Sequence, residues 1–191
     1  MENNTPIAAG KSSFDLIDAE KLFAALPIAK DSSILDAACG TGAYTLAMAP
    51  RCPHGIVYAF DLWEEEIDRL SQAAADANFI NIIPSVISIS VNLPLNNSSV
   101  DICLLATVLH DLVAEGTAYL TLREINRVLK SGGLLAVIEF KKRSGQPGPP
   151  LKRRISPGEL DELLRLCGFT PAQNREIDIG ADLYLSLYQS P

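Results

Sequence analysis

The stretch Ile34-Leu35-Asp36-Ala37-Ala38-Cys39-Gly40-Thr41-Gly42 decides the fold of this chain. A short apolar run ends in a carboxylate, passes through small residues, and is followed at once by the apolar-periodic segment 43–49. This pattern predicts a buried strand, a tight turn and the first turn of a helix. Gly40 and Gly42 lack a Cβ, so the turn can take positive φ values and lie against a ligand, while the free N–H groups of the helix favour an anionic or hydroxyl-rich group. The stretch therefore predicts a cofactor-binding turn.

Two classes of cofactor use such a turn. The dinucleotide fingerprint G-x-G-x-x-G/A needs a third small residue where the helix packs on the strand. Counting from Gly40 places the branched Thr45 there, whereas counting from Ala38 places Ala43 there but loses the first glycine. Asp36, which precedes the turn, would repel a pyrophosphate and attract an ammonium. These features favour S-adenosylmethionine (SAM), whose methionine end carries an ammonium.

The same stretch resembles the first motif of class I SAM-dependent methyltransferases, D-x-G-x-G-x-G. Asp36, Gly40 and Gly42 match this motif, and Ala38 stands where the first glycine is usual. The segments V-L-H-D and E-F-K-K, before G-P-P and R-I-S-P, are similar to the methyltransferase type 11 group related to the ubiquinone/menaquinone methyltransferases. The resemblance implies methyl transfer from SAM to a small-molecule acceptor, with S-adenosylhomocysteine as product.

Composition limits the class of protein. The chain has 191 residues, 48% hydrophobic and 20% charged, which fits a single α/β domain over residues 1–191. The net charge of −7 disfavours nucleic acid as a partner. The first six residues lack the features of a signal peptide, no apolar run is long enough to span a bilayer, and the four cysteines show no C-x-x-C spacing. We therefore expect a cytoplasmic protein with no membrane span and no metal, and composition leaves its oligomeric state open.

Strand-like and helix-like segments alternate along the chain. The predicted strands are the one beginning at Ile34 and those over residues 55–61, 80–89, 101–109, 134–140, 173–179 and 182–188. The predicted helices cover residues 19–26, 43–50, 63–77, 117–130 and 157–168, with Ser131-Gly132-Gly133 as a helix cap. This order predicts an α/β, Rossmann-like doubly wound sheet of about seven strands, mostly parallel with a C-terminal antiparallel hairpin.

Two segments outside this framework are expected to border the acceptor. Residues 1–27 should form an N-terminal lid and helix, and residues 141–156 a loop over the acceptor side. The acceptor side should be built from residues 14–17, the loop after Leu109 and the strand end at 139–141. Three cations in the loop, at positions 152–154, either attract an anionic acceptor or belong to a solvated loop.

The ribose and adenine of the cofactor should lie beyond the second strand. Asp61 ends that strand about twenty residues after the turn, where a carboxylate can accept hydrogen bonds from two ribose hydroxyls. The resemblance implies that Leu62 packs on adenine and that Ala106 and Thr107 border the ribose and the sulfonium. The acid that usually bonds the adenine amino group is missing, because that position holds Ile89.

Backbone groups around Ser90 are the remaining candidates for contact with the adenine edge. The absence of an acid at Ile89 therefore leaves adenine recognition open.

His110 and Asp111 are the candidate catalytic residues. They follow the fourth strand at its carboxyl end, where open α/β sheets bind their ligands. A histidine beside a carboxylate can act as a general base. The competing interpretation is a polar loop histidine, or one that anchors the neighbouring helix. Because the sulfonium is an activated donor, alignment of the acceptor should supply much of the acceleration.

Three other functions compete with a small-molecule methyltransferase. An NAD-type oxidoreductase would need a Tyr-x-x-x-Lys relay, but Tyr119 is followed by Arg123 and Tyr184 by Tyr188. A metalloid methyltransferase would bind its substrate through thiols, yet the cysteines sit in apolar or turn positions typical of buried side chains. A non-catalytic SAM-binding protein is compatible with Ala38 and with the missing acid, and only turnover distinguishes it.

Overall fold

One seven-stranded sheet forms the centre of the molecule. The structure, a computed structural model, describes residue 10 and residues 12–144 and 147–191, with only the backbone for residues 173–175. The strands are β1 Ser33–Ala37, β2 Ile56–Asp61, β3 Ile82–Val86, β4 Val100–Ala106, β5 Leu129–Phe140, β6 Thr170–Asp178 and β7 Leu183–Gln189. The helices are α1 Ala19–Ala25, α2 Ala43–Met48, α3 Glu64–Asp76, α4 Leu109–Glu115, α5 Ala118–Val128 and α6 Pro157–Leu166.

The strand order is β3-β2-β1-β4-β5-β7-β6. β1 pairs in parallel with β2 and β4, which places Asp36 opposite Ala59 and Leu104. β5 pairs in parallel with β4, and β7 pairs antiparallel with both β5 and β6. The predicted fold class is therefore confirmed, including the antiparallel hairpin at the end of the chain. Chain order reverses at β1 and β4, and the carboxyl ends of these two strands form the crevice where such sheets bind ligands.

Apolar side chains cover both faces of the sheet. One core cluster includes Leu109 of α4, Leu122 of α5 and Leu160 of α6, and the other includes Leu22 of α1 and Met48 of α2. β1 and β4 contribute to both clusters because they are buried on both faces, as expected of central parallel strands. Burial on both faces fixes the position of the strand ends that carry the site.

Two predicted helix starts are confirmed in detail. Asp18 caps α1 by accepting the backbone N–H groups of Glu20 and Lys21. Ser156 and Glu159 form a reciprocal capping box at the start of α6. Each cap satisfies N–H groups that have no partner inside the helix. In the described part of the chain, no helix combines the length and the hydropathy needed to cross a bilayer.

The prediction for the fourth strand was wrong at its end. The strand stops at Ala106, and Leu109 begins α4 rather than ending the strand. Thr107 lies between them with φ of 54°, a value that ends an extended strand. Its side chain and the following apolar residues gave no sign of this turn, because an apolar run is compatible with a strand or a buried helix. His110 is consequently a helical residue rather than a loop residue.

The prediction of a glycine cap after α5 was also wrong. Residues 131–133 lie within β5, which begins at Leu129 directly after α5. The backbone N–H of Gly132 donates to the carbonyl of Ser190, and the N–H of Ser190 donates to the carbonyl of Gly133. A Cβ at Gly133 would lie 2.8 Å from the carbonyl oxygen of Lys130. Gly133 therefore leaves no room for a side chain inside β5, and neither glycine ends a helix.

The acidic first turn of α3 is not uniform. Glu64 and Glu65 are exposed, as expected of residues that complement the helix dipole. Glu66 is only 1% exposed and accepts a hydrogen bond from the backbone N–H of Gly10 at 2.9 Å.

The third strand is shorter than predicted, five residues rather than ten. It lies at the edge of the sheet, where Pro84 is tolerated.

Candidate cofactor and acceptor site

The predicted cofactor turn joins β1 to α2. Ala38, Gly40 and Gly42 have φ of 61°, 50° and 77°, so three of five consecutive residues take the left-handed conformation. Gly42 is the N-cap residue of α2. This backbone path turns the chain sharply from the carboxyl end of β1 into the helix, and it presents the start of the helix to the crevice.

The two glycines of the turn have different roles. A Cβ at Gly40 would meet nothing within 4 Å, so its open side faces free space beside the turn. A Cβ at Gly42 would lie 2.4 Å from Cδ1 of Leu70 on α3. Gly42 is thus needed for close packing of α2 against α3, whereas Gly40 leaves room for a ligand. Both glycines were predicted to face the ligand, but only Gly40 has open space beside it, and Gly42 packs against Leu70.

Asp61 links the cofactor turn to the end of β2. Its Oδ2 accepts the backbone N–H of Gly40 at 2.8 Å, and its Oδ1 accepts the N–H of Trp63 at 3.0 Å. The backbone N–H of Cys39 also donates to the carbonyl of Phe60 at 3.0 Å. Each carboxylate oxygen retains a lone pair after these bonds. The Asp61 carboxylate is therefore fixed in orientation and can still accept hydrogen bonds from hydroxyl groups.

Asp36 lies beneath the turn rather than on its surface. Asp36 is 1% exposed, and its carboxylate accepts a hydrogen bond from the hydroxyl of Thr45 at 2.5 Å. Burial raises the pKa of Asp36 to about 7, the hydrogen bond from Thr45 opposes this rise, and the nearby charge of Asp61 adds to it. Asp36 can therefore influence a ligand ammonium through its charge, and this influence depends on pH near neutrality.

The predicted adenine side has one exposed apolar residue and no acid. Leu62 follows Asp61 and is 66% exposed, which leaves an apolar surface at the carboxyl end of β2. Ile89 is buried in the core together with Leu93. The hydroxyl of Ser90 lies 2.9 Å from that of Thr121 on α5. The Ser90 side chain is thus engaged with α5, and the backbone N–H of Ser90 donates to the hydroxyl of Ser88 at 3.3 Å, so contact of this backbone with adenine stays a prediction.

Ala106 and Thr107 end β4 beside the N-terminal segment. Ala106 is half-buried, and the Thr107 hydroxyl donates to the hydroxyl of Ser13 at 3.2 Å. Ser13 in turn lies 2.9 Å from the hydroxyl of Tyr44 on α2, and the rings of Phe14 and Tyr44 meet edge to face at 5.0 Å. Residues 13 and 14 therefore contact α2 and the residue that follows β4, and the lid within residues 1–27 stays a prediction.

His110 is paired with a carboxylate other than the predicted Asp111. Its Nδ1 lies 2.8 Å from Oε2 and 3.1 Å from Oε1 of Glu139, and its backbone N–H donates to Oε1 at 3.1 Å. Glu139 is fully buried and His110 is 5% exposed. The only sign of this pair in the sequence was an acid inside the otherwise apolar strand 134–140, next to a histidine at the end of the adjacent strand.

Burial alone would lower the pKa of His110. The hydrogen bond and the charge of Glu139, together with the charge of Asp111, outweigh burial and the opposing charge of Arg153. The pKa of His110 therefore lies above its usual value of 6.5.

Asp111 lies between the predicted neighbour, His110, and Arg153 of the loop after β5. Its Oδ2 lies 3.6 Å from Nε2 of His110, beyond hydrogen-bond distance, and its Oδ1 lies 3.3 Å from Nη1 of Arg153. Asp111 therefore connects α4 to the loop after β5. The carboxylate that orients the imidazole is Glu139, not Asp111.

The three cations of the acceptor-side loop are not equivalent. Arg154 is buried and donates to the backbone carbonyls of Lys141, Arg143, Pro147 and Pro149. Lys152 is exposed. Arg154 therefore organises the loop, and Arg153 is the cation held near His110. Gln146, also assigned to this loop, lies outside the described residues.

The four cysteines are all buried. Burial raises the pKa of Cys39 and Cys103 above the usual range for thiols. Buried protonated thiols are poor ligands for a metalloid. In the part of the chain that the structure describes, no group of three or more His, Cys, Asp or Glu side chains has the spacing of a metal site.

The residues at the crevice fit SAM. Gly40 leaves open space beside the turn, Asp61 presents an oriented carboxylate, and Leu62 presents an apolar surface. Asp36 and Asp61 place negative charge close to the turn, which suits a cofactor with an ammonium and a sulfonium. The donor set therefore has both the shape and the charge for a cationic nucleoside.

Comparison with known proteins identifies the family. Residues 35–137 match the family model described as a methyltransferase domain, Methyltransf_11. The chain belongs to this family. The match covers more than half of the chain and includes the cofactor turn, β2, β4 and His110, and it confirms the resemblance to class I methyltransferases of the type 11 group.

A curated relative agrees with this assignment. The chain is 29% identical over 125 residues to a demethylmenaquinone methyltransferase from Staphylococcus haemolyticus. The match covers 65% of this chain and 48% of the relative. This methyltransferase-family chain thus spans about half the length of the curated relatives it matches.

Solved structures share the fold across nearly the whole chain. A SAM-dependent methyltransferase from Aquifex aeolicus aligns with a TM-score of 0.84 at 23% identity, covering 98% of this chain and 95% of that one. The 1,6-didemethyltoxoflavin-N1-methyltransferase from Burkholderia thailandensis, solved with bound 1,6-didemethyltoxoflavin and S-adenosylhomocysteine, aligns with a TM-score of 0.63 at 21% identity, covering 84% of this chain and 71% of that one. These likenesses establish the fold.

Proposed function

We propose that this chain is a SAM-dependent methyltransferase acting on a small-molecule acceptor. The observation that carries the proposal is the pairing of Asp61 with the backbone N–H of Gly40, beside an open face of the glycine turn. This pairing orients a carboxylate next to the free N–H groups of a helix start, an arrangement suited to the ribose and carboxylate of SAM. Relatives and structural neighbours that are named as methyltransferases support the same function.

The remaining residues take roles around this cofactor site. The start of α2 and the turn at Ala38, Gly40 and Gly42 would hold the methionine end, with Asp36 supplying negative charge beneath it. Leu62 would pack on adenine, and the backbone at Ser90 would meet the adenine edge. Bound SAM supplies an electrophilic methyl group, so the protein has mainly to align the acceptor and exclude water.

The acceptor would enter beside the carboxyl ends of β4 and β5. Ala106 and Thr107 would border the reacting sulfonium, and His110 follows Thr107 by three residues, in the first turn of α4. The named substrates of the demethylmenaquinone and didemethyltoxoflavin enzymes are small molecules. Their example supports a small-molecule acceptor for this chain.

Nucleic acid is not proposed as the acceptor. The net charge of −7 opposes the cationic surface that phosphate binding requires. Retention on heparin resin at physiological salt would contradict this part of the proposal.

The proposal is tested by calorimetry with SAM and S-adenosylhomocysteine, together with mass spectrometry of ligands carried through purification. We expect both nucleosides to bind in a 1:1 ratio, and we expect NAD not to bind. Binding of NAD without SAM would contradict the proposal.

A non-catalytic SAM-binding protein is the second candidate. The missing acid at Ile89 and the departure at Ala38 favour it. A SAM-binding chain that methylates no acceptor in a broad small-molecule panel would support this candidate instead.

A further inference from the structure

Glu66 is a buried carboxylate in the first turn of α3 that caps no helix. It occupies the third helical position, where a glutamate ordinarily reaches back to the backbone N–H at the start of the helix. That N–H, on Trp63, donates instead to Oδ1 of Asp61 at 3.0 Å. Glu66 is 1% exposed, so its side chain also does not complement the helix dipole from solvent.

One oxygen of the Glu66 carboxylate has no hydrogen-bond partner. Oε1 accepts a hydrogen bond from the backbone N–H of Gly10 at 2.9 Å and makes a long contact of 3.5 Å with Nη1 of Arg69. Oε2 is buried and has no donor within the described residues. A buried carboxylate oxygen without a donor is unfavourable, because it has lost the hydrogen bonds that water provides. An acid kept in this position points to a donor that arrives with a ligand.

Glu66 lies beside the cofactor turn. The turn residue Cys39 packs in one apolar cluster with Ile67, the residue that follows Glu66. Burial raises the pKa of the Cys39 thiol, and the charges of Asp36 and Asp61 raise it further. The charge of Glu66 contributes to the same rise, so Glu66 is close enough to act on the turn.

The adenosine side of the cofactor site is short of one acceptor. Asp61 can serve the two ribose hydroxyls, but Ile89 stands where the family resemblance places an acid for the amino group of adenine. The hydroxyl of Ser90 is engaged by Thr121. Glu66 follows Asp61 in the first turn of the next helix, so its unpaired acceptor lies on the side of the sheet where adenosine lacks one.

We propose that Glu66 is a further cofactor-binding residue, whose Oε2 accepts a hydrogen bond from the adenosine half of SAM. This inference rests on the proposed methyltransferase function and adds a residue to its cofactor site. Gly10 covers the carboxylate through its hydrogen bond to Oε1, so the cofactor reaches Oε2 when Gly10 moves aside. Gly10 is exposed, and its N–H can then bond to water.

The charge of Glu66 suits the same cofactor. SAM carries positive charge on its sulfonium and its ammonium, so a carboxylate near the turn attracts it. The pyrophosphate of a dinucleotide would be repelled by the same carboxylate. Glu66 therefore favours a cationic nucleoside over a dinucleotide.

The test measures stability and affinity in the same variants. Glu66→Met replaces the carboxylate by an apolar side chain that is also unbranched. Removing a buried acceptor that lacks a donor should leave the urea midpoint, measured without added cofactor, unchanged or higher. The affinity for S-adenosylhomocysteine, measured by calorimetry, should fall by about tenfold or more, because a hydrogen bond to a charged group is lost.

Glu65→Met is the matched control. Glu65 is exposed in the same helical turn, so this variant removes an equal charge from the start of α3. Its affinity for S-adenosylhomocysteine should stay close to that of the wild type.

Glu66→Gln separates the hydrogen bond from the charge. It keeps an acceptor oxygen but not the negative charge, so its affinity should lie between those of the wild type and Glu66→Met. It is also the second variant if Glu66→Met does not fold. In that case it should bind S-adenosylhomocysteine more weakly than the wild type at an unchanged urea midpoint.

Adenosine and methionine are the probes that locate the contact. Adenosine should bind Glu66→Met more weakly than the wild type, whereas methionine should bind both equally. The NMR signal of the Gly10 amide should shift when S-adenosylhomocysteine binds to the wild type, because the bond to Oε1 opens. Weaker binding of methionine alone would overturn the assignment to adenosine.

The outcomes separate the two proposals. Wild-type affinity in a folded Glu66→Met variant, or a loss of affinity that accompanies a lower urea midpoint, would overturn the role of Glu66 and leave the cofactor site standing. Failure of the wild-type chain to bind S-adenosylhomocysteine would instead overturn the proposed function.

Discussion

Oδ2 of Asp61 accepts a hydrogen bond from the backbone N–H of Gly40 at 2.8 Å. Asp61, the residue predicted to bind the ribose, therefore also holds the cofactor turn in place. A carboxylate at the end of β2 is thereby connected to the turn that follows β1. The two predicted cofactor elements form one unit, and a substitution at either residue will affect the other.

The first prediction concerns this unit. Asp61→Ala should weaken SAM binding by about 1–3 kcal/mol, because charge-assisted hydrogen bonds to the ligand and to the turn are both lost. Calorimetry measures the change, and Asp76→Ala, an exposed acid on α3, is the control. Unchanged affinity would mean that Asp61 only anchors the turn.

The second prediction separates the two glycines. Gly42→Ala places a Cβ 2.4 Å from Leu70 at φ of 77°, so it should lower the free energy of unfolding by more than about 1 kcal/mol. Gly40→Ala meets no neighbour, so its stability loss should be smaller, about 1 kcal/mol for the left-handed backbone alone. Gly40→Ala should lower the affinity for SAM more than Gly42→Ala does.

Urea denaturation and calorimetry on both glycine variants provide the comparison. Equal losses of stability in the two variants would contradict the different roles assigned to Gly40 and Gly42.

The third prediction concerns the departure from the family motif at Ala38. Ala38 has φ of 61°, which costs a residue with a Cβ about 1–2 kcal/mol, whereas glycine adopts this φ freely but loses more entropy on folding. Ala38→Gly should therefore be neutral or stabilise the fold by up to about 1 kcal/mol. Ala37→Gly, in the buried strand, should destabilise it. Denaturation of both variants is the measurement, and similar losses would refute strain at Ala38.

The fourth prediction follows from the raised pKa of Asp36. The folded pKa of about 7 lies above the usual 3.8, so between these values the folded chain binds more protons than the unfolded one. The stability contributed by protonated Asp36 is complete below about pH 4 and is lost as the pH rises through about 7. Three pKa units correspond to at most about 4 kcal/mol.

Asp36→Asn should remove this dependence. Relative to the wild type, the variant should become more stable as the pH increases from 5 to 8, and urea denaturation at both values measures the difference. Asp76→Asn, an exposed acid, should show no such trend. A constant difference between Asp36→Asn and wild type would contradict a buried carboxyl that titrates near neutrality.

The sequence by itself determined the fold and the elements on which the predicted cofactor residues lie. The apolar run into Asp36, the glycine turn and the carboxylate at Asp61 are local patterns, because a strand, a tight turn and a helix start each impose their own residue types. The alternation of strands and helices then predicted a parallel sheet. In such a sheet the glycine turn and Asp61 lie together at the carboxyl ends of neighbouring strands.

Only the tertiary structure decided the rest. The functions of Gly40 and Gly42 differ because α3 brings Leu70 against one and leaves the other open. The fourth strand ends at Ala106 because Thr107 takes a backbone φ of 54° that its residue type did not predict. His110 is oriented by Glu139 rather than by its neighbour Asp111, because parallel pairing of β4 and β5 brings residues 29 positions apart into contact. Such long-range contacts depend on strand register and helix packing, which no short stretch of sequence contains.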